Sequence, residues 1–243
     1  MNPATIDKLL TINRVFYEEL AQPFAGSRST RQPDLQPVVQ RLSGVESLLD
    51  VGCGNARLAH AIEESGLAMR YTGIDASEAL LAIAAQSATA LTAVQATFLL
   101  IDIMRPDWTT DLPPSRFDAI ALLAVLHHIP GRDRRAALLR RLRDLLVPEG
   151  VLVVSTWQFL NQERLRRKIV PWEAVGVNDD DLEPGDYLLD WRRGGSGLRY
   201  CHLVDETELV ALAGEAGLMV NDSFYAGGAS QNLNLVALLR PRD

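Results

Sequence analysis

The chain reads as an α/β protein on one doubly wound, mostly parallel sheet of seven strands, with an N-terminal helical extension and an insertion after the fifth strand. Three observations predict this. Near-continuous apolar runs of strand length lie at 47–51, 69–74, 97–101, 117–123 and 151–156, with helical segments at 56–64, 77–90 and 134–146 between them. Strands that are apolar throughout and followed by helices are buried parallel strands joined by crossovers. A glycine-bearing turn, Gly52-Cys53-Gly54, leaves the first strand directly and opens a helix. Finally, the alternation stops after Trp157 and resumes only near the C-terminus.

Taken in order, residues 4–22 form an amphipathic helix with Ile6, Leu9, Leu10, Asn13, Phe16, Tyr17 and Leu20 on one side. A polar stretch, 26–33, precedes a second short helix ending near Leu42. Ser77 before Glu78 suits an N-terminal cap, and Pro148-Glu149-Gly150 is expected to stop the Arg-rich helix before the fifth strand. Between Trp157 and Arg199 only a short basic helix, 161–168, stands out of a Pro/Gly/Asp-rich stretch. A segment of that length inside a compact domain is a lid or binding loop, or is disordered. A helix at 205–216 and strands at 218–226 and 233–240, the last antiparallel, close the chain. The organisation expected is one domain, 1–243: a helical cap (1–45), a ligand-binding core (46–157), a substrate-side insertion (158–204) and a closing unit (205–243).

Composition narrows the function classes. The 243 residues carry a formal net charge of −7, which argues against holding nucleic acid by bulk charge alone. Local basic clusters remain: Arg132/Arg134/Arg135, Arg140/Arg141/Arg143, Arg164/Arg166/Arg167/Lys168 and Arg192/Arg193. Each reads either as a solvated face or, for the last two together, as an edge that meets RNA phosphates. The longest apolar run, 119–126, is far short of the ~18 residues of a membrane span. No secretory signal pattern opens the chain, so a cytoplasmic location and no membrane partner are expected. Two cysteines build neither a disulfide framework nor a four-cysteine zinc site, and no metal-ligand cluster is expected.

The chemistry concentrates at the strand ends. Gly52 and Gly54 allow a tight turn and a close backbone approach to a ligand. Asp75 ends the second strand, where a carboxylate accepts from both hydroxyls of a ribose. The turn lacks the full Gly-x-Gly-x-x-Gly of dinucleotide binding. Instead Asp50 stands just before the first glycine, welcoming an ammonium and not a pyrophosphate. Asp102, followed by Ile103, tops the third strand and suits an adenine amino group between apolar faces. Together these acids and glycines resemble the class I S-adenosylmethionine-dependent methyltransferases, a Rossmann-like fold, over about 46–157. That resemblance implies S-adenosylmethionine as cofactor, S-adenosylhomocysteine as product, and a site of Asp50, Gly52, Cys53, Gly54, Asn55, Asp75, Ala76, Asp102, Ile103 and Ala124. Ala56 stands where the family often has a third glycine.

Further segments narrow the family. Arg199-Tyr200-Cys201-His202-Leu203-Val204, then Glu206-Thr207-Glu208-Leu209, resembles the Arg-Tyr-Tyr-His signature of the Trm9/ALKBH8-type tRNA wobble-uridine methyltransferases. Phe24-Ala25-Gly26-Ser27-Arg28 resembles that family's Phe-Ser-x-Thr-Arg segment, and Val125-Leu126-His127-His128-Ile129 its fourth-strand region. The resemblance implies esterification of a 5-carboxymethyluridine carboxylate in tRNA, with a small activating partner subunit. A carboxylate is already ionised at neutral pH, so positioning matters more than a base. Arginine suits that task, because its planar fork holds one carboxylate oxygen while the other attacks. Arg28 and Arg199 are the candidates, Arg31 taking the part of Arg28 if the register slips. Tyr200, His202, His127 and His128 are expected as hydrogen-bonding neighbours, although Tyr200 and His202 also fit ordinary core positions. A second reading is a methyltransferase for a small acid or phenol, with His127 or His128 as general base. A third is a binding module that has kept the fold.

Overall fold

The computed structural model describes residues 1–27, 35–113 and 115–242. The helix Pro3–Glu19 (α1) is followed by Ala21–Gly26 (α2) and Gln36–Gln40 (α3). Asn2 caps α1 by accepting from the Thr5 amide, and Thr5, Leu9, Asn13 and Phe16 form its buried stripe. A central sheet then assembles from Ser47–Val51 (β1), Met69–Asp75 (β2), Val94–Leu100 (β3), Phe117–Leu123 (β4), Leu146–Trp157 (β5), Leu218–Ala226 (β9) and Asn234–Pro241 (β10). Its order is β3-β2-β1-β4-β5-β10-β9, parallel except at β10. The order reverses between β1 and β4, and in open α/β sheets a ligand crevice lies at such a reversal, outside the carboxyl ends of the strands.

Alternating side chains send the sheet's two faces into two cores. Leu49, Val51, Ile120 and Leu122 pack beneath the helices Arg132–Asp144 (α6) and Glu206–Glu215 (α8). Leu48, Ala119 and Ala121 pack on the other side beneath α3 and the helix Arg57–Glu64 (α4). The remaining crossover helix, Glu78–Ala88 (α5), is capped as expected, the Ser77 hydroxyl accepting from the Leu80 amide.

Two expectations are corrected. Pro148 does not stop α6. That helix ends at Asp144, and β5 already begins at Leu146, with an irregular register against β4 at its start. A proline is tolerated there because it sits at the strand's first, bulged stretch. The insertion is also not free of regular structure. After a short helix, Glu163–Arg166 (α7), come Ile169–Val170 (β6), Asp186–Trp191 (β7) and Gly197–His202 (β8), an antiparallel sheet of order β6-β7-β8. The apolar cores of β7 and β8 are short, and the Gly/Asp/Pro-rich flanks hide them in a window average.

Helix α1 lies across β8. Asn13, buried, accepts from the Tyr200 amide at 2.8 Å and donates to the Tyr200 carbonyl at 3.1 Å. A side-chain amide thereby meets both backbone groups of one strand residue, and this fixes the helix over the sheet's carboxyl end.

Candidate functional site

A cavity of about 730 Å³ opens at the carboxyl ends of β1, β2 and β4, roofed by α1 and the insertion. The turn after β1 is tied to β2: the Gly52 and Cys53 amides donate to the Ile74 carbonyl at 2.8 and 3.0 Å. Gly52 and Gly54 adopt φ of +71° and +55°. At Gly52 a Cβ would lie 2.4 Å from a Val125 methyl, so both conformation and space demand glycine. Gly52→Ala is expected to cost about 2 kcal/mol or more, since left-handed strain of ~1–2 kcal/mol adds to the overlap. Denaturant unfolding checks this. Ala56 likewise holds φ of +61°, a conformation in which a glycine is unstrained and an alanine is not.

Asp75 is organised by the turn. One oxygen accepts from the Gly54 amide and the other from the Ser77 amide, both at 2.9 Å. Burial raises its pKa while these amides, with that of Ala76, oppose the rise. Asp50 is buried and accepts from the Tyr71 hydroxyl at 2.5 Å. Burial pushes its carboxyl up to about 7, the Tyr71 hydrogen bond opposing and Asp75 adding. Asp102 follows β3 in an exposed position, one oxygen accepting from the Met104 amide at 2.8 Å. Cys53 is buried with its thiol pKa driven well up by burial, which leaves no thiolate.

All ten expected cofactor residues line this one cavity. The cradle fits S-adenosylmethionine: a turn bare of side chains at Gly52 and Gly54, carboxylates at the ends of β1 and β2, and a third just beyond β3. Asp75→Ala is expected to weaken S-adenosylhomocysteine binding about tenfold or more, read by calorimetry, as expected for loss of a charge-assisted hydrogen-bond acceptor.

On the other side of the cavity stand His127, His128 and Arg199. His127 is buried, and its Nδ1 accepts from the Trp157 amide at 3.3 Å. The Nδ1 of His128 faces the Tyr200 carbonyl at 2.9 Å, so that nitrogen carries the proton. In the neutral ring its Nε2 is then the acceptor for the Tyr17 hydroxyl at 2.9 Å. Arg199 is 5% exposed, with its guanidinium carbon 4.9, 5.1 and 5.0 Å from the ring centres of Phe16, Trp157 and Trp191. Its Nε is buried without a hydrogen-bond partner, and no carboxylate among the described residues pairs with it. Arg164, Lys168 and Arg193 line the same cavity nearer the solvent. The Lys168 pKa is lowered by burial and by the neighbouring Arg193, Arg199 and Arg164.

The expectation that Tyr200 and His202 border the substrate is not met. Both point to the opposite face of β8 from Arg199, because side chains alternate along a strand. The Tyr200 hydroxyl donates to Asp186 at 2.8 Å, and His202 lies between Asp186 and Glu208. Cys201 is buried, its thiol pushed up to about 12 by burial. Arg28 and Arg31 lie outside the described residues. Trp157 and Trp191, the last residues of β5 and β7, line the cavity, and Tyr71 reaches Asp50 from within β2; none of the three carries a local signal in the sequence.

The comparisons agree with this geometry. Residues 49–152 match the family model described as "Methyltransferase domain". An uncharacterized methyltransferase of Mycobacterium tuberculosis is 33% identical over 134 residues, 55% of this chain, and the match spans 62% of that relative's length. A ubiquinone biosynthesis O-methyltransferase of Pseudomonas aeruginosa is 27% identical over 219 residues, 85% of this chain and 82% of its own. A tRNA (carboxymethyluridine(34)-5-O)-methyltransferase of Macaca fascicularis is 26% identical over 152 residues, 63% of this chain and 20% of its own. Magnesium protoporphyrin IX methyltransferase from Synechocystis PCC 6803, solved with bound S-adenosylhomocysteine, has the same fold with a TM-score of 0.65 at 17% identity, over 96% of this chain and 100% of its own. The fold is thus the Rossmann-like fold shared with class I methyltransferases, and the methyltransferase model matches the segment that carries the glycine turn and the three strand-end acids of the cleft. Among the described residues no helix is long and apolar enough to cross a membrane.

Proposed function

We propose that the chain is an O-methyltransferase that converts an acceptor carboxylate into its methyl ester, and that the acceptor is a 5-carboxymethyl-type wobble uridine of tRNA. Arg199 carries the reading. A buried cation without an acidic partner is costly, and a carboxylate bound in the cavity supplies the missing counter-charge. S-adenosylmethionine, when bound, supplies a methyl carbon made electrophilic by the sulfonium. The chain's part is to align one acceptor oxygen with that carbon while Arg199 holds the other. The free oxygen forms the new O–C bond as the methyl leaves sulfur, and no proton has to move because the acceptor enters ionised.

His128 supports the same direction. Its Nε2 is already engaged by the Tyr17 hydroxyl, so a phenol would have to displace Tyr17 before His128 served as its base. The tRNA acceptor is supported by the likeness to the macaque enzyme and by the Arg164, Lys168 and Arg193 rim, which suits a phosphate backbone. A small acid is the second reading, favoured by the roof that α1 forms over the cavity.

The test is transfer of labelled methyl to bulk tRNA from a strain lacking this protein, followed by digestion to nucleosides. Label on a 5-substituted uridine that mild base removes is the expected result, with turnover at limiting tRNA falling steeply between 50 and 200 mM salt. An activating subunit is required on this reading if label appears only after adding cell extract. Unlabelled tRNA in both arms, with cofactor binding intact, overturns the tRNA acceptor and leaves the small acid.

A further inference from the structure

Behind Arg199, on the other face of β8, lies a buried charged network that the methyl-transfer chemistry does not use. His202 is 2% exposed. Its Nδ1 stands 2.7 Å from an Asp186 oxygen and its Nε2 2.8 Å from a Glu208 oxygen. Both partners are carboxylates, which accept and do not donate, so both ring nitrogens must carry protons. His202 is therefore an imidazolium by geometry.

The groups facing it come from every element packed around it. Asp186 (β7) also accepts from the Tyr200 hydroxyl of β8 and from the Glu183 amide. Glu208 (α8) also receives Arg135 (α6), whose guanidinium is buried and reaches Glu183 at 2.8 Å as well. Arg132 approaches Glu208 at 4.0 Å. With His202 charged, two buried cations face three carboxylates, with Arg132 at the rim; with His202 neutral, Arg135 alone faces them. Glu183, Asp186 and His202 come near enough together to suggest a cation site, but the imidazolium and Arg135 already occupy their donor atoms.

We infer that the Asp186–His202–Glu208 clamp is a positioning device for the acceptor. It ties β7 and β8 of the insertion to α8 and α6 of the core, and so fixes the strand that carries Arg199 in the cavity. The inference rests on the reading of Arg199 as the acceptor's ligand. Desolvation works against the charge on His202, and Asp186 and Glu208 outweigh it, raising its pKa. The sign follows. Stability from the clamp is fully present below the unfolded histidine's pKa and is lost as pH rises through the higher folded value.

The test is histidine side-chain NMR from pH 5.5 to 9.5 on the wild type and on Glu208→Gln, a change at a partly exposed position that keeps the size and removes the charge. His202→Gln assigns the signal. Alongside, 5-carboxymethyluridine is titrated by Trp fluorescence and S-adenosylhomocysteine by calorimetry. We expect a doubly protonated His202 at pH 7.5 in the wild type and a lower titration midpoint in Glu208→Gln. That variant should bind 5-carboxymethyluridine about tenfold more weakly, with unchanged S-adenosylhomocysteine affinity. A neutral His202 in the wild type at pH 7.5 overturns the clamp. So does a lowered midpoint that leaves acceptor binding unchanged. If the wild type does not bind 5-carboxymethyluridine, the acceptor reading has failed on its own, and the clamp is judged on the Arg199 Nε–H signal. Its presence in the wild type and loss in Glu208→Gln upholds the coupling; an unchanged signal rejects it.

Discussion

Arg199→Met is expected to raise the melting temperature and to abolish methyl transfer in the same protein. Each half has its own cause. Among the described residues the guanidinium is buried with no carboxylate partner, and its Nε makes no hydrogen bond. Burial of an unpaired charge costs several kcal/mol, and the three aromatic rings around it return ~0.5–2 kcal/mol each through cation–π attraction. Methionine fills the same aromatic box without that cost. The net gain is about 1 kcal/mol, a rise of roughly 2–4 °C for a chain of this size. In the complex the balance reverses, because the acceptor carboxylate would enter a dry pocket with no counter-charge. Leaving one partner of a buried pair alone costs ~3–5 kcal/mol, or at least about a hundredfold in kcat/KM. Cofactor affinity should not change, since the rings of Phe16, Trp157 and Trp191 hold Arg199 and, among the described residues, no hydrogen bond or ion pair joins it to the cofactor side. Thermal melts, calorimetry with S-adenosylhomocysteine and initial rates check the three parts. A destabilised variant that loses activity only in proportion would make Arg199 a structural residue.

That arginine also marks the boundary of what the sequence makes legible. The cofactor half of the site follows from local chemistry: a glycine turn has to follow a strand, and Asp50, Asp75 and Asp102 have to stand at strand ends. Consecutive residues decide this, so the ten residues fall on one cavity. The acceptor half depends on contacts distant in sequence. Arg199 meets Phe16, Trp157 and Trp191 only after α1 and the insertion have folded over the sheet. Tyr200 and His202 follow it closely in sequence as equally polar candidates, yet the period of two along β8 sends them to the opposite face. The alternation along β8 is concealed in the sequence, because its apolar core is short and lies between glycines and acids. Pro148 misleads for the opposite reason. It is a strong local stop signal, but α6 had already ended at Asp144 and the strand accommodates the ring in a bulged first stretch.

Cofactor affinity is expected to climb with pH up to about 7 and then level off, with Asp50 as the cause. Its carboxyl is pushed up to about 7 by burial, against the pull of the Tyr71 hydrogen bond and with Asp75 adding to the rise. The ammonium of S-adenosylhomocysteine needs the ionised form, so below that pH each bound ligand must first displace a proton. Affinity should therefore fall about tenfold per pH unit on the acid side. Stability has the opposite sign. Between the ordinary carboxylate value of 3.8 and about 7 the folded chain keeps a proton that the unfolded chain has released, so this group's contribution to stability falls as pH rises. The apo protein should then lose melting temperature across that window while the shift induced by ligand grows. Asp50→Asn should flatten both trends, and Tyr71→Phe should move the affinity midpoint upward, because the hydrogen bond that favours the carboxylate is gone. Calorimetry from pH 5.5 to 8.5 on the three proteins separates these cases. A midpoint unmoved in Tyr71→Phe would mean that the phenol only fills space. In that event burial and Asp75 alone would set the charge on Asp50, and the 2.5 Å contact would carry no weight in cofactor binding.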